Sequence, residues 1–335
     1  MKSPQLTRIA LATAVSVCAL SAAPAYAASF TSLVVFGDSL SDSGNAANVG
    51  RYDPTQVITG NTYIPDNAYA SRTLSNGPIW ATNFAGLLGL PLTPSVIPGS
   101  PPSPVGGGLN FAFASARSTG GIAPSLTVQS ELYRAYVSGG VADPTGLYVV
   151  QGGGNDARDA LDAIAGGEDL FLAAAKAGAK YALDVGQIVD QLQADGAKNI
   201  LVFNVPNVGV TPAVTAAGGT IAGGLVGGTM SAYLAERLDG EAGVTVFDSF
   251  SFITGAYLNP SAFGFANVTD ACGAISGANC DQYLFWDGIH PTAAMHRAIA
   301  GAVYAQVVPE PETYALFALG LVAVGWAARR RATQA

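Results

Sequence analysis

Leu33-Val34-Val35-Phe36-Gly37-Asp38-Ser39-Leu40-Ser41-Asp42-Ser43-Gly44-Asn45 runs from four consecutive apolar residues through a glycine into a polar segment. A short apolar run stopped by glycine suits a strand buried on both faces, as in a parallel sheet. In a doubly wound sheet the carboxyl ends of the strands converge on one rim, where ligands bind. The run therefore places Ser39 on that rim, just after Gly37 allows a sharp turn. A helix starting soon after Ser39 would aim free amides and a dipole at negative charge beside the serine.

Similar apolar runs return at 147–151, ending in Gly152-Gly153-Gly154, at 200–205, ending at Pro206, and at 244–247, ending at Asp248. Helical patterns lie between and after them at 78–88, 169–193, 230–238 and 293–307. Strands alternating with helices predict parallel strands joined by crossovers, hence an α/β domain of three layers with a mostly parallel sheet flanked by helices. In the last helix Met295, Ile299 and Val303 repeat at a four-residue step and mark a buried stripe. His296, beside that stripe, reads as a helix-surface or packing histidine. Residues 50–76 lack periodicity and residues 91–108 are dense in proline and glycine, so both are expected as surface loops near a site. Residues 218–228, rich in glycine, read either as a mobile segment or as a poorly formed helix start.

The chain has 335 residues, half of them hydrophobic and only 11% charged, which fits a globular core rather than disorder. Lys2 and Arg8, the apolar run 9–20 and Ala25-Tyr26-Ala27 have the layout of a secretory signal over residues 1–27, with a buried first helix as the alternative. At the other end Pro309-Glu310-Pro311 precedes an apolar stretch at 314–328 and then Arg329-Arg330-Arg331. That stretch is short against the ~20 residues of an ordinary membrane span, though flanking arginines help. Residues 28–308 carry 10 basic and 21 acidic side chains, a net charge of about −11. Such a surface repels phosphate backbones and argues against a nucleic-acid partner. Cys18 falls in the signal, which leaves Cys272 and Cys280 either to close a short loop as a disulfide or to stay as two buried thiols. No His and Cys cluster with metal spacing occurs, and no cofactor is expected.

A serine hydroxyl becomes a useful nucleophile only when a base takes its proton and a carboxylate fixes that base. Two histidines occur, His290 and His296. In Asp287-Gly288-Ile289-His290-Pro291-Thr292 the carboxylate can turn back onto one imidazole nitrogen and leave the other for Ser39. Pro291 disfavours helix at His290, while Thr292 can cap the helix that follows. Gly152-Gly153-Gly154 brings Asn155 to the same rim, where a side-chain amide can donate to an oxyanion. Each signal alone has a bland counterpart in a plain turn or a structural ion pair. Their joint appearance in this order points to serine-nucleophile chemistry.

These blocks resemble those of the GDSL, or SGNH, esterase and lipase family. The resemblance spans nearly all of 32–307 and includes 75–80, 204–212 and 259–272. It implies a flavodoxin-like SGNH-hydrolase fold, with Ser39 as nucleophile and oxyanion amide, Asn155 as oxyanion donor, and Asp287 and His290 completing the triad. One block departs: Asn110-Phe111-Ala112-Phe113-Ala114-Ser115-Ala116-Arg117 has Ala114-Ser115 where many relatives have two glycines. The family uses a backbone amide there, so Ser115 would be a further donor on a strained or shifted turn. The tail, 309–335, resembles a PEP-CTERM sorting signal, which implies an exosortase-type processing enzyme in a Gram-negative bacterium; a permanent anchor is the alternative. Either way the domain is expected outside the cytoplasm, secreted or surface-associated, with membrane contact only through the tail. The expected activity is hydrolysis of carboxylic esters, small or polymer-attached, through an acyl-serine. Acyl transfer and non-catalytic surface binding are the rivals. Short acyl chains are preferred for want of an obvious lipid-binding surface.

Overall fold

The computed structural model describes residues 30–96, 108–137 and 140–308, with isolated positions 320 and 324. Its chain divides into a compact unit, Phe30–Tyr304, and a second unit made of the ends, Met1–Ser29 and Ala305–Ala335. Of the second unit the described residues are 305–308 and the helical positions 320 and 324. The expected signal and the apolar tail stretch lie outside the described residues. Among those that are described, no helix is long and apolar enough to cross a membrane.

The apolar runs form the sheet of the first unit. β1 (Leu33–Phe36), β2 (Leu147–Val150), β3 (Asn199–Phe203) and β4 (Val244–Phe247) lie side by side in that order, every pair parallel. Residues 109–113 flank the free edge of β1: the Val35 amide donates to the Leu109 carbonyl at 3.0 Å, and the Phe111 amide to the Val35 carbonyl at 2.8 Å. The chain thus visits one neighbour of β1 first and then crosses to the other, β2. That reversal is a topological switch point, where open α/β sheets place their ligand crevice.

Alternate residues supply the two faces. Val34, Phe36, Tyr148, Val150, Ile200 and Val202 pack in one core with helices on one side. These are α3 (Leu126–Tyr136), α4 (Gly154–Ala165), α5 (Leu170–Ala194) and α7 (Thr220–Leu238). On the opposite face Phe203 stacks against Trp80 of α2 (Trp80–Leu88), with ring centroids 4.6 Å apart, and against Phe247, which meets Phe252 of α8 (Ser249–Leu258). α9 (Ala293–Val307) buries the expected stripe of Met295, Ile299 and Val303. Two short helices, α1 (Asn45–Asn48) and α6 (Pro212–Ala216), and a two-stranded parallel pair, β5 (Asn267–Ala271) with β6 (Tyr283–Phe285), complete the unit.

Two expectations are corrected and one open choice is decided. No helix begins at Ser39, because Asp38 closes a tight turn, its side chain accepting from the Leu40 amide and its carbonyl from the Ser41 amide. α1 starts only at Asn45 and is a single turn, so it brings no dipole to the serine. Of the two readings of residues 218–228 the helix start holds, because α7 begins at Thr220 and runs unbroken to Leu238. A Cβ on Gly223 would lie 2.6 Å from the Gly209 Cα, so glycine there admits the chain that leaves β3 against the helix backbone. Residues 50–76 do lack helix and strand, yet they are no mere surface excursion, since Ile58, Ala68, Tyr69 and Leu74 are buried.

Candidate active site

Ser39 leaves the carboxyl end of β1 in a turn built from buried polar side chains. Gln129 makes a two-way clamp on Gly37, accepting from its amide at 2.8 Å and donating to its carbonyl at 2.9 Å. The Ser41 hydroxyl donates to Gln151 and accepts from the Trp80 indole. Asp42, wholly buried, accepts from the amides of Gly44, Asn45, Ala46 and Ala114. Burial pushes its carboxyl above the ordinary range despite those four donors. Asn45 donates to the carbonyls of Asn110 and Ala112, and Asn110 donates back to the Ser41 carbonyl and the Ser43 hydroxyl. Block 37–45 and block 110–114 are therefore one lattice.

His290 arrives from a loop gripped on several sides. Its backbone carbonyl accepts from the Trp286 amide, and Thr292 ties the chain to β6 while its hydroxyl caps α9 through the Met295 amide. A Cβ on Gly288 would stand 2.5 Å from the Tyr63 carbonyl oxygen, so only glycine lets residues 61–63 press on this loop. Cys272 and Cys280 are joined in a disulfide with Cα atoms 5.6 Å apart, and the Gly273 amide donates to the Trp286 carbonyl just before Asp287.

Between these supports the Ser39 hydroxyl lies 2.9 Å from His290 Nε2, and Nδ1 of the same ring lies 2.7 Å from Asp287 Oδ2. Asp287 is fully buried and satisfied: Oδ1 accepts from the Ile289 and His290 amides, and Oδ2 also accepts from the Tyr69 hydroxyl at 2.7 Å. Burial and the Asp287 charge push the Tyr69 hydroxyl far above the usual phenol range, so it stays a donor. Tyr69 has no counterpart among the sequence expectations. His296, 1% exposed, is no surface residue; its Nδ1 accepts from the Trp80 amide, and burial lowers its pKa to about 3. It packs α9 onto α2 and does not reach Ser39.

Residues 33–303 match the family model described as GDSL-like lipase/acylhydrolase. The chain belongs to that family. Residues 307–331 match the PEP-CTERM protein-sorting motif, which indicates an extracytoplasmic, surface-directed protein. Among relatives, Esterase EstA of Pseudomonas aeruginosa is 30% identical over 89% of this chain and 51% of its own length. A Pseudomonas putida protein named for a trpE-trpG intergenic region is 28% identical over 91% of this chain and 52% of its own. A GDSL esterase/lipase of Arabidopsis thaliana is 27% identical over 84% of this chain and 87% of its own. The chain spans about half the length of the two Pseudomonas relatives.

In this member of the GDSL family, Ser39, Asn155 and His290 share one cavity of about 60 Å³, walled also by Arg158, Asn207 and Ile253. Asn155 spends one amide hydrogen on the Ala116 carbonyl at 2.8 Å, leaving its second for the cavity. Ser115 does not line that cavity. It sits at φ 70°, a left-handed conformation that glycine adopts freely and serine adopts at a cost of roughly 1–2 kcal/mol. Arg51 holds the turn by donating to the Ala114 carbonyl and the Ser115 hydroxyl, both at 3.2 Å. Asp38 also lines the cavity, and burial raises its pKa to about 6. Among the described residues no group of three or more His, Cys, Asp or Glu side chains could hold a metal ion.

Proposed function

We propose that the domain hydrolyses carboxylic esters through an acyl-serine. The observation that carries this is the unbroken relay from Ser39 through His290 to Asp287, at 2.9 and 2.7 Å. His290 takes the Ser39 proton as Oγ bonds to the ester carbonyl carbon, and Asp287 holds the ring in place and offsets the charge it gains. The Ser39 amide and the free amide hydrogen of Asn155 donate to the oxyanion. The same imidazolium then protonates the leaving alcohol, and water enters by the reverse path to release the acid. Ser115 would contribute only through its backbone amide. Relatives described as esterases, and the family itself, support the reading.

The domain would work outside the cytoplasm after loss of residues 1–27, with the tail handed to an exosortase-type enzyme. Ser39→Ala should lower the rate on nitrophenyl acetate by at least about a thousandfold. A fluorophosphonate should label the native protein at Ser39 and leave the variant untouched. Parental turnover in the variant, or a label mapped elsewhere, would overturn the assignment.

A further inference from the structure

Ten basic residues lie in 28–308. Eight are engaged with carboxylates or neutral oxygens, as Arg117 is with Asp159 and Arg237 with Asp190. Lys198 is exposed before β3, at the end of the sheet away from the rim. Arg158 differs from all of them. It is half-buried and, among the described residues, makes neither an ion pair nor a hydrogen bond, in a domain whose net charge is about −11.

Arg158 stands one turn after Asn155 on α4, so both side chains share a helix face. It lines the cavity of Ser39 and His290 and also an adjoining cleft of about 350 Å³. The other walls of that cleft are largely apolar, with Ile64, Leu161, Val214, Ala222 and Ile289. Asp162 reaches the cleft too but is exposed and forms no ion pair with Arg158. A guanidinium partly withdrawn from water gains from an anion, and its planar fork matches a carboxylate. Among the described residues no side chain supplies that anion, and Arg158 faces both the cavity that holds Ser39 and the adjoining cleft. Because His290 protonates the departing oxygen, the alcohol half of the ester lies on the His290 side, where Ile289 leads into the cleft.

We propose that Arg158 binds a carboxylate on the alcohol half of the ester, whose apolar body occupies the cleft beyond Val214 and Ile289. The substrate class is then short acyl esters of hydroxylated, largely apolar carboxylic acids. This rests on the esterase reading. It also supplies the apolar surface that the sequence had not revealed, and assigns it to the alcohol rather than to the acyl chain.

The test compares para-acetoxybenzoate with its neutral methyl ester, which share the acetyl bond to be cut. The kcat/KM ratio of the two, taken in native protein and in Arg158→Gln, cancels their intrinsic reactivities. The ratio should fall by about tenfold or more in Arg158→Gln, the range of a hydrogen bond to a charged group. Arg158→Lys should keep part of it. An unchanged ratio, with both rates lowered alike, would overturn the proposal and make Arg158 an oxyanion or folding residue. Calorimetry with para-hydroxybenzoate on the Ser39→Ala protein needs no turnover. Kd should rise about tenfold when Arg158→Gln is added, and equal affinities would again overturn it. Intact, Arg158-dependent binding with neither ester cleaved by native protein would sink the esterase reading alone.

Discussion

Ser39 and His290 meet at 2.9 Å, yet the chain holds them by unlike means. The serine rests on a lattice of buried amides and one carboxylate, in which Asp42, Asn45, Asn110 and Gln129 each satisfy backbone groups that have no regular secondary structure to satisfy them. The histidine rests on packing of loops against loops, on a disulfide and on a buried phenol. A polar lattice is all-or-none, because each missing member strands buried donors; packing spread over many partners loses support by degrees. Asp42→Ala should break the difference most visibly. Four amides lose their acceptor at once, so the loss of stability is expected to be about 3 kcal/mol or more, read as a fall in the urea midpoint. Asp42→Asn, which keeps one acceptor oxygen, should recover part of it. A loss under about 1 kcal/mol would show the lattice to be no more fragile than ordinary surface structure.

On the histidine side Tyr69→Phe is the matching cut. Asp287 keeps the Ile289 and His290 amides and the imidazole when the phenol is gone, so kcat should fall by about tenfold at most. Tyr69 does not line the cavity, and KM should hold. A KM that rises while kcat stays level would place Tyr69 in substrate binding and undo the contrast.

What was legible in the sequence follows the same divide. The strands ending at Phe36, Val150 and Phe247 and the placement of Ser39, Asn155 and His290 at one rim come from local signals: an apolar run, a glycine stop and a short polar block. Tyr69 was illegible because it lies 218 residues from Asp287, inside a segment without periodicity. Strand β5, Asn-Val-Thr-Asp-Ala, carries no clean alternation and does not read as a strand, while the edge segment 109–113 bonds to β1 without forming a strand of its own. The start of α7 was one of two readings of 218–228, left open by glycines that lower helix propensity but admit the chain behind them. Arg158 looks like any surface arginine until the partners of the other cations are known.

The smallest effect tests the two sides through their protons. Asp38, beside Ser39, is raised from 3.8 to about 6 by burial, which outweighs the Leu40 and Gln151 hydrogen bonds and the charge of His290. Between those values the folded chain holds a proton that the unfolded chain does not, so this residue adds stability as pH falls from 6 towards 4. His296, on the other side, is lowered from 6.5 to about 3 by burial and the neighbouring His290. There the unfolded chain takes up the proton that the folded one refuses, and stability drops over the same acidification. The two oppose each other, and Asp42 and Asp156, also raised by burial, side with Asp38. Carboxylates shifted downward, such as Asp248 and Asp270, exert their effect below 3.8, outside this window. Replacing Asp38→Asn keeps the shape and removes one opposing proton. The urea midpoint of the variant should therefore fall more steeply than that of the native protein between pH 6 and 4, with the curves closest at the acid end, where Asp38 is already neutral. Parallel curves across that window would mean that Asp38 titrates alike folded and unfolded, and would leave Asp42 as the buried carboxyl of the serine side.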